Sequence, residues 1–364
     1  MAGIYVHIPF CRRKCEYCAF ISFANGEVLQ TEYTDMLIKE AKARAEKNRA
    51  LVFDTLFFGG GTPSLLKKEH FEKIVSVLRE EYDLSALKEF TCEANPDSIS
   101  KELLDFWMSM GVNRLSIGVQ SFNDKELCAI GRVHDSKKAI EAVKLAKKCG
   151  FENISVDLMC ALPFQTKETL INSIKTAVSL EVKHISCYQL QIEEGTVLYK
   201  KYESGQYLEP TDEEYIDSMH AADDLLQSCG FSRYEVSNFA LPGYECRHNM
   251  NYWERGDYVG LGIAAHSLEG NARIGNTECI SEYMRGNFEA SRDIIGAEEA
   301  AEEELMLMLR TSKGAPFSLI PSEKLSMLKA SEKAGLVKIT DKSVIATQTG
   351  FDVLNQLIIN LLPD

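Results

Sequence analysis

Ile4-Tyr5-Val6-His7-Ile8-Pro9-Phe10-Cys11-Arg12-Arg13-Lys14-Cys15-Glu16-Tyr17-Cys18 is a short β-rich run that leads straight into three thiols at C-x3-C-x2-C spacing. The run Ile4–Ile8 is the first of a series of strand candidates, followed by Thr55–Phe58, Glu89–Cys92, Arg114–Val119, Ile154–Leu158 and His184–Gln189. Helical periodicity fills the intervals: Glu32–Asn48, Lys68–Glu81, Ser100–Met110, Ser136–Cys149 and Lys167–Leu180. Six βα repeats of this kind build a parallel sheet with helices outside, and curling that sheet yields a partial (β/α)6 barrel. An open doubly wound sheet has the same alternation, so the two architectures stay tied at this level. Gly59–Gly61, Glu93, Gln120 and Asp157 stand at successive strand ends. That is the rim where parallel α/β folds place their chemistry.

Beyond about residue 200 the rhythm changes. Phe231–Phe239 and Tyr258–His266 read as further strands with the turn-rich segment Leu241–Gly256 between them. From Glu298 a helix begins whose first turns are acidic and whose end carries Arg310 and Lys313, matching the helix dipole. Helix Glu323–Ala334, Gly335, strands Leu336–Ile339 and Val344–Ala346, and helix Thr349–Leu362 complete an α+β, winged-helix-like module. It has no basic recognition face, so packing rather than DNA binding is expected of it. The divisions read as 1–200 for the barrel, 201–290 for a barrel extension and 291–364 for the C-terminal domain.

Composition narrows the function classes. The 364 residues carry 40 Lys+Arg against 54 Asp+Glu, a net charge of −14, which disfavours broad capture of nucleic acid or anionic lipid. The 45% apolar content suits an ordinary globule with a full core. There is no apolar run long enough to span a bilayer, and the opening MAGIYVHIPFC lacks the layout of a secretory signal. An odd count of 11 cysteines then points to the reducing cytoplasm, with transient membrane association compatible. Cysteines outside the triad read as core residues.

The loop Cys11–Cys18 is long enough to wrap three thiolates around one soft metal or one face of a cluster. Three ligands leave one coordination position open, the mark of a site that binds a ligand or does chemistry. Arg12, Arg13 and Lys14 would offset the negative charge of the thiolates. Spacing alone admits a structural zinc completed by Cys246 or His248, or an iron–sulfur cluster.

Tyr5-Val-His-Ile-Pro-Phe-Cys11 joined to the triad resembles the opening of the radical SAM superfamily. The likeness continues through Phe58-Gly-Gly-Gly-Thr-Pro63, Glu93-Ala-Asn-Pro96, Gly118-Val-Gln-Ser-Phe122, Gly131-Arg-Val-His134, Asp157-Leu-Met159, Pro163 and His248-Asn-Met-Asn-Tyr-Trp253. More narrowly it resembles the group that contains oxygen-independent coproporphyrinogen III oxidase and the heme chaperones. The resemblance implies a radical SAM barrel and a [4Fe–4S] cluster on Cys11, Cys15 and Cys18, with S-adenosylmethionine on the open iron. Gly60, Gly61 and Thr62 then suit the ammonium, or alternatively a tight strand-to-helix turn. Glu93 accepts from the amino group or a ribose hydroxyl, or pairs with a nearby cation. Gln120 and Asp157 suit ribose hydroxyls, and Arg132 offers a fork to the carboxylate. Tyr5 and Tyr17 match aromatic positions beside the cofactor, Gln189 an adenine-side contact, and His7 the core.

Two departures separate the group's members. Where the decarboxylating oxidase carries a further cysteine two residues past the triad, this chain has Phe20, and Tyr5 starts the barrel without a preceding extension. Instead Cys246-Arg-His-Asn-Met-Asn-Tyr-Trp253 contains the H-N-x-x-Y-W pattern of heme chaperones. His248 is the expected axial-ligand candidate, with Tyr252 and Trp253 flanking the porphyrin; a loop hydrogen bond and a barrel plug are the plainer reading. The resemblance implies a carrier that delivers heme to heme-requiring acceptors such as respiratory enzymes, served by a cellular electron donor; it allows a homodimer. The alternatives are SAM-dependent decarboxylation of coproporphyrinogen III, a different radical SAM modification, or a zinc-held structural protein.

Overall fold

The computed structural model describes residues 2–24 and 26–363. Its centre is a set of parallel strands standing side by side in chain order: β1 (Ala2–Ile8), β2 (Phe53–Gly60), β3 (Glu89–Ala94), β4 (Arg114–Gln120), β5 (Asn153–Cys160) and β6 (His184–Gln189). Each pairs in parallel with the next. A doubly wound sheet requires the strand order to reverse at a switch point. Here it never reverses, so right-handed crossovers keep all the helices on one face and leave the other face as a lumen. The partial barrel is therefore the architecture. It stays open: β1 and β6 do not meet, and both are extended by further strands.

On the β1 side, β9 (Tyr258–Leu261) adds in parallel, followed by antiparallel β10 (His266–Glu269), β11 (Ala272–Asn276) and β12 (Glu289–Ile294). On the β6 side, β8 (Asn238–Ala240) and β7 (Ser232–Glu235) add antiparallel. The sequence expectation of one strand over Phe231–Phe239 is thus corrected to a hairpin, and that over Tyr258–His266 to two strands joined at Gly262–Ala265. Leu241–Gly256 is not all turn either, because Arg247–Trp253 is a helix.

Local chemistry explains the helix starts. Ser100 accepts from the Leu103 N–H and Asp135 from the Lys138 N–H, while Thr166 and Thr211 each form a reciprocal capping box. Apolar residues fill the space between strands and helices, with Phe58, Phe71, Phe90 and Trp107 packed ring against ring. The C-terminal module has its own core, from Leu305 through Leu328 and Val344 to Leu361. A sheet of Ala315–Pro316, Ser343–Ala346 and Val337–Ile339 lies among the helices Ala297–Met308, Leu325–Lys333 and Leu354–Leu361. It docks through His220 to Asp352 at 2.9 Å, and through Arg233 wedged 5.1 Å from the rings of both Phe239 and Phe351. Among the described residues no helix is long and apolar enough to cross a membrane.

Candidate functional site

The thiol loop leaves the C-terminal end of β1. The pair Phe10–Cys11 with Phe23–Ala24 closes its base, and the Glu16 N–H reaches Ile130 O at 3.1 Å while its carbonyl takes the Leu198 N–H at 2.8 Å. Cys11, Cys15 and Cys18 are free and half-exposed. A closed ring of polar contacts then joins four parts of the rim. Cys11 Sγ meets Thr62 Oγ1 at 3.5 Å; Thr62 Oγ1 accepts from Asn95 Nδ2 at 3.0 Å. Asn95 Oδ1 accepts from Arg132 Nη2 at 2.6 Å, and Arg132 Nη1 donates to Cys15 Sγ at 3.3 Å. Arg132 Nη2 also donates to Gly118 O at 2.5 Å, which leaves Nε buried without a partner. Of the terminal nitrogens of Arg132, the expected carboxylate fork, Nη1 thus meets the thiol loop and Nη2 meets Asn95 and Gly118. Burial pushes the Cys18 thiol up, and the Cys15 and Cys11 sulfurs add to it. Tyr17 is likewise pushed up by burial, against the pull of Arg132.

Three soft thiols on one loop, close enough for Cys11 and Cys15 to act on Cys18, are a donor set that fits an iron–sulfur cluster. A zinc ion with sulfurs at its usual bond length needs its thiolates about 3.8 Å apart. Among the described residues no three His, Cys, Asp or Glu side chains converge in that way. A cluster takes each cysteine on a different iron, so its ligands stand wider apart. The zinc completed by Cys246 or His248 fails on position as well, since both lie at the opposite ends of the strands, against Glu89 and Thr55.

The glycine turn after β2 is pressed onto β1. Gly60 has φ +105, and a Cβ there would fall 2.4 Å from the His7 ring; one on Gly61 would fall 2.9 Å from Ile8 O. Only glycine fits. Gly60 N–H donates to Glu93 Oε2 at 3.1 Å. Burial, then the nearby Asp157, pushes the Glu93 carboxyl up to about 8. Asp157 accepts from Ser116 at 3.0 Å, Ser186 at 2.8 Å and Ser155 at 3.4 Å. Gln120 sits at a register shift in β4 with φ +68, a left-handed backbone that costs energy for a non-glycine residue. Gln189 is exposed at the end of β6 and touches neither the ring nor the cavity.

A cavity of about 580 Å³ fills the open side of the lumen. Glu93, Gly60 and the loop tail Ala19–Ile21 bound it at the rim, Tyr5 and Phe57 line its side, and His248, Tyr252, Tyr258 and His266 bound the rest. The volume is in the range of small-molecule and cofactor sites. Helix Arg247–Trp253 seals its deep end because Glu89 accepts from the Arg247 N–H at 2.9 Å, the His248 N–H at 3.1 Å and the Cys246 thiol at 3.4 Å. That cap comes from a residue 158 positions away, which is why local reading takes the segment for turns. His248 is 1% exposed; Nδ1 meets Thr55 Oγ1 and Nε2 meets Tyr252 OH, both at 2.8 Å, and its ring stacks 5.1 Å from Phe57. Burial, then Arg114, pushes its pKa down to about 3, so the ring is neutral. His248, the expected axial-ligand candidate, thus has both ring nitrogens in hydrogen bonds.

Tyr5 OH meets His7 Nδ1 at 3.0 Å, and His7 Nε2 meets Ile21 O at 2.9 Å, a core role. Sequence reading passed over Asn95, whose signal lay inside Glu93-Ala-Asn-Pro96, and Glu89, whose role has no local signal. It also took every cysteine outside the triad for core, whereas Cys128, Cys229 and Cys279 are exposed.

A family model for the radical SAM superfamily matches residues 5–177. The heme chaperone HemW of Bacillus subtilis (strain 168) is 36% identical, covering 96% of this chain and 96% of that protein. HemW of Lactococcus lactis subsp. lactis (strain IL1403) is 36% identical, covering 85% of this chain and 82% of that protein. Among solved structures, coproporphyrinogen III oxidase (HemN) from Escherichia coli, a radical SAM enzyme, superposes with a TM-score of 0.86 over 99% of this chain and 90% of that one. At 22% identity that likeness is one of fold.

Proposed function

Since this chain belongs to the radical SAM superfamily and, within it, to the HemW family, we propose that it is a heme carrier. In this reading it holds a [4Fe–4S] cluster on Cys11, Cys15 and Cys18, binds S-adenosylmethionine beside it, and takes heme into the lumen for transfer to heme-requiring acceptor proteins. It works in the cytoplasm with a cellular electron donor. The barrel 1–200 and extension 201–290 carry the site, and the C-terminal domain 291–364 packs against them. When bound, the cluster and S-adenosylmethionine supply one-electron chemistry.

The chain's own residues prepare that ground. Thr62 and Arg132 donate toward the loop thiols and hold them in place. The carbonyls of the Gly60–Gly61 turn and the carboxyl of Glu93 meet a cationic amino group, and that cation draws the proton off Glu93. Tyr5 and Tyr17 flank the ligand, and Gln120 reaches in from its strained bend. Asp157 takes part through the serines that bind it, Arg132 has only Nε to offer, and Gln189 remains peripheral.

The observation that carries the proposal is the shared cavity. One space of about 580 Å³ is walled at the rim by the tail of the thiol loop and elsewhere by Tyr5, Phe57, Tyr252 and Tyr258 together with imidazoles. Aromatic faces and imidazole are what a porphyrin and its iron require. Phe20, 67% exposed, stands in that wall where the decarboxylase pattern has a cysteine. The test is hemin binding and coproporphyrinogen III turnover measured on one anaerobically reconstituted sample. Stoichiometric heme binding without decarboxylation is the expected result; decarboxylation would overturn the carrier reading.

A further inference from the structure

We infer that the residue presented to the iron of the carried heme is His266, at the mouth of the cavity, rather than His248. The inference rests on the carrier reading and assigns its iron ligand. The chain has seven histidines. Six have a ring nitrogen already paired: His7 with Ile21 O, His70 with Thr31, His134 with Val119 O, His184 with Ser155, His220 with Asp352 and His248 with Thr55. Among the described residues His266 has no side-chain hydrogen-bond or ion-pair partner; it is exposed and lines the cavity.

Coordination through His7 or His248 requires a buried ring to give up one of its two hydrogen bonds. The hydroxyl or carbonyl left behind would be unsatisfied, at a cost of about 1–3 kcal/mol. His266 gives up nothing. Its backbone is nevertheless rigid: it begins β10 opposite Gly275, and a Cβ on Gly260 would fall 2.0 Å from its carbonyl oxygen. The ring lies over Gly275, where a side chain would come 3.2 Å from Cε1. Ala264, left-handed at φ +56, and Ala265 precede it and keep bulk away from the wall. The deep wall supplies the aromatic faces. A fixed backbone, an unpaired imidazole and an adjoining apolar cavity are the parts of an axial-ligand site. Position matters too. A ligand at the mouth can be exchanged for one from an acceptor without opening the sealed end of the barrel.

The test titrates the full chain with ferric hemin and reads the Soret band and the electron paramagnetic resonance spectrum. His266→Ala is expected to weaken hemin binding roughly tenfold or more and to lose the imidazole-type spectrum, with added imidazole restoring it. His266→Tyr is expected to bind hemin with the charge-transfer band of phenolate-ligated ferric iron, a signature that a packing role would not generate. His248→Ala is expected to keep the imidazole-type spectrum. Unchanged spectra in both His266 variants, with loss in His248→Ala, overturn the inference and leave the carrier reading intact. A parent chain that binds no hemin overturns both.

Discussion

At the C-terminal rim of the barrel, Cys15 receives a hydrogen bond from Arg132 and remains half-exposed beside two more thiols. At the other end, Cys246 donates to Glu89, is fully buried, and has its thiol pushed up to about 12 by that burial. The histidines divide in the same way, with His266 unpaired at the mouth and His248 locked between Thr55 and Tyr252. Residue type is therefore a poor guide to reactivity in this chain. Burial outweighs the nearby Arg114 and keeps the Cys246 thiol in its inert protonated form, whereas the triad thiols stand half-exposed at the rim. The lumen separates an end built to accept ligands from an end built to stay shut.

The sharpest contrast should come from the cysteines. Cys15→Ala is expected to abolish the brown chromophore after anaerobic iron–sulfide reconstitution, while Cys246→Ala retains it; absorption spectra of the two variants check this. Next is the plug. Glu89→Ala removes the carboxylate that caps Arg247–Trp253 and should lower stability by about 2–4 kcal/mol in chemical denaturation, with cluster content preserved. Loss of the cluster in that variant would mean that the two ends are coupled.

At the rim, Arg132→Ala is expected to weaken S-adenosylmethionine binding by about 1.5–3 kcal/mol in isothermal titration and to reduce cluster retention, because Cys15 loses its donor. No change in either would make the ring of contacts ornamental. The smallest effect concerns Glu93. Its carboxyl, ordinarily near 4.5, is pushed up to about 8 by burial and then by Asp157. Over that interval the folded chain keeps a proton that the unfolded chain releases. Stability is therefore lost as pH rises from the lower value through the upper one. Glu93→Gln should gain on the parent as pH rises from 4.5, with its advantage at pH 9 exceeding that at pH 6 by about 1–2 kcal/mol, a figure discounted because the carboxyl opens onto the cavity. An equal difference at pH 6 and pH 9 would show that Glu93 is solvated.

The strand candidates from Ile4 to Gln189 were readable because buried parallel strands are apolar runs between amphipathic helices. The thiol triad, the glycine turn and Glu93 were readable because they sit on those strand ends. The helix Arg247–Trp253 was not, since its N-terminal amides are satisfied from Glu89 on β3. Nor was the saturation of Asp157 by Ser116, Ser155 and Ser186, three serines brought together only by the pairing of β4, β5 and β6.

Periodicity and spacing are properties of neighbouring residues, so the chain order alone carried the repeating strands and helices, the three thiols and the family likeness. Whether the sheet curls or winds both ways, which arginine nitrogens are already engaged, and which histidine is left without a partner are properties of residues far apart in the chain. Those answers appear only when packing has set the distances, because hydrogen bonds and charge–charge effects act over a few ångströms of space and not along the sequence.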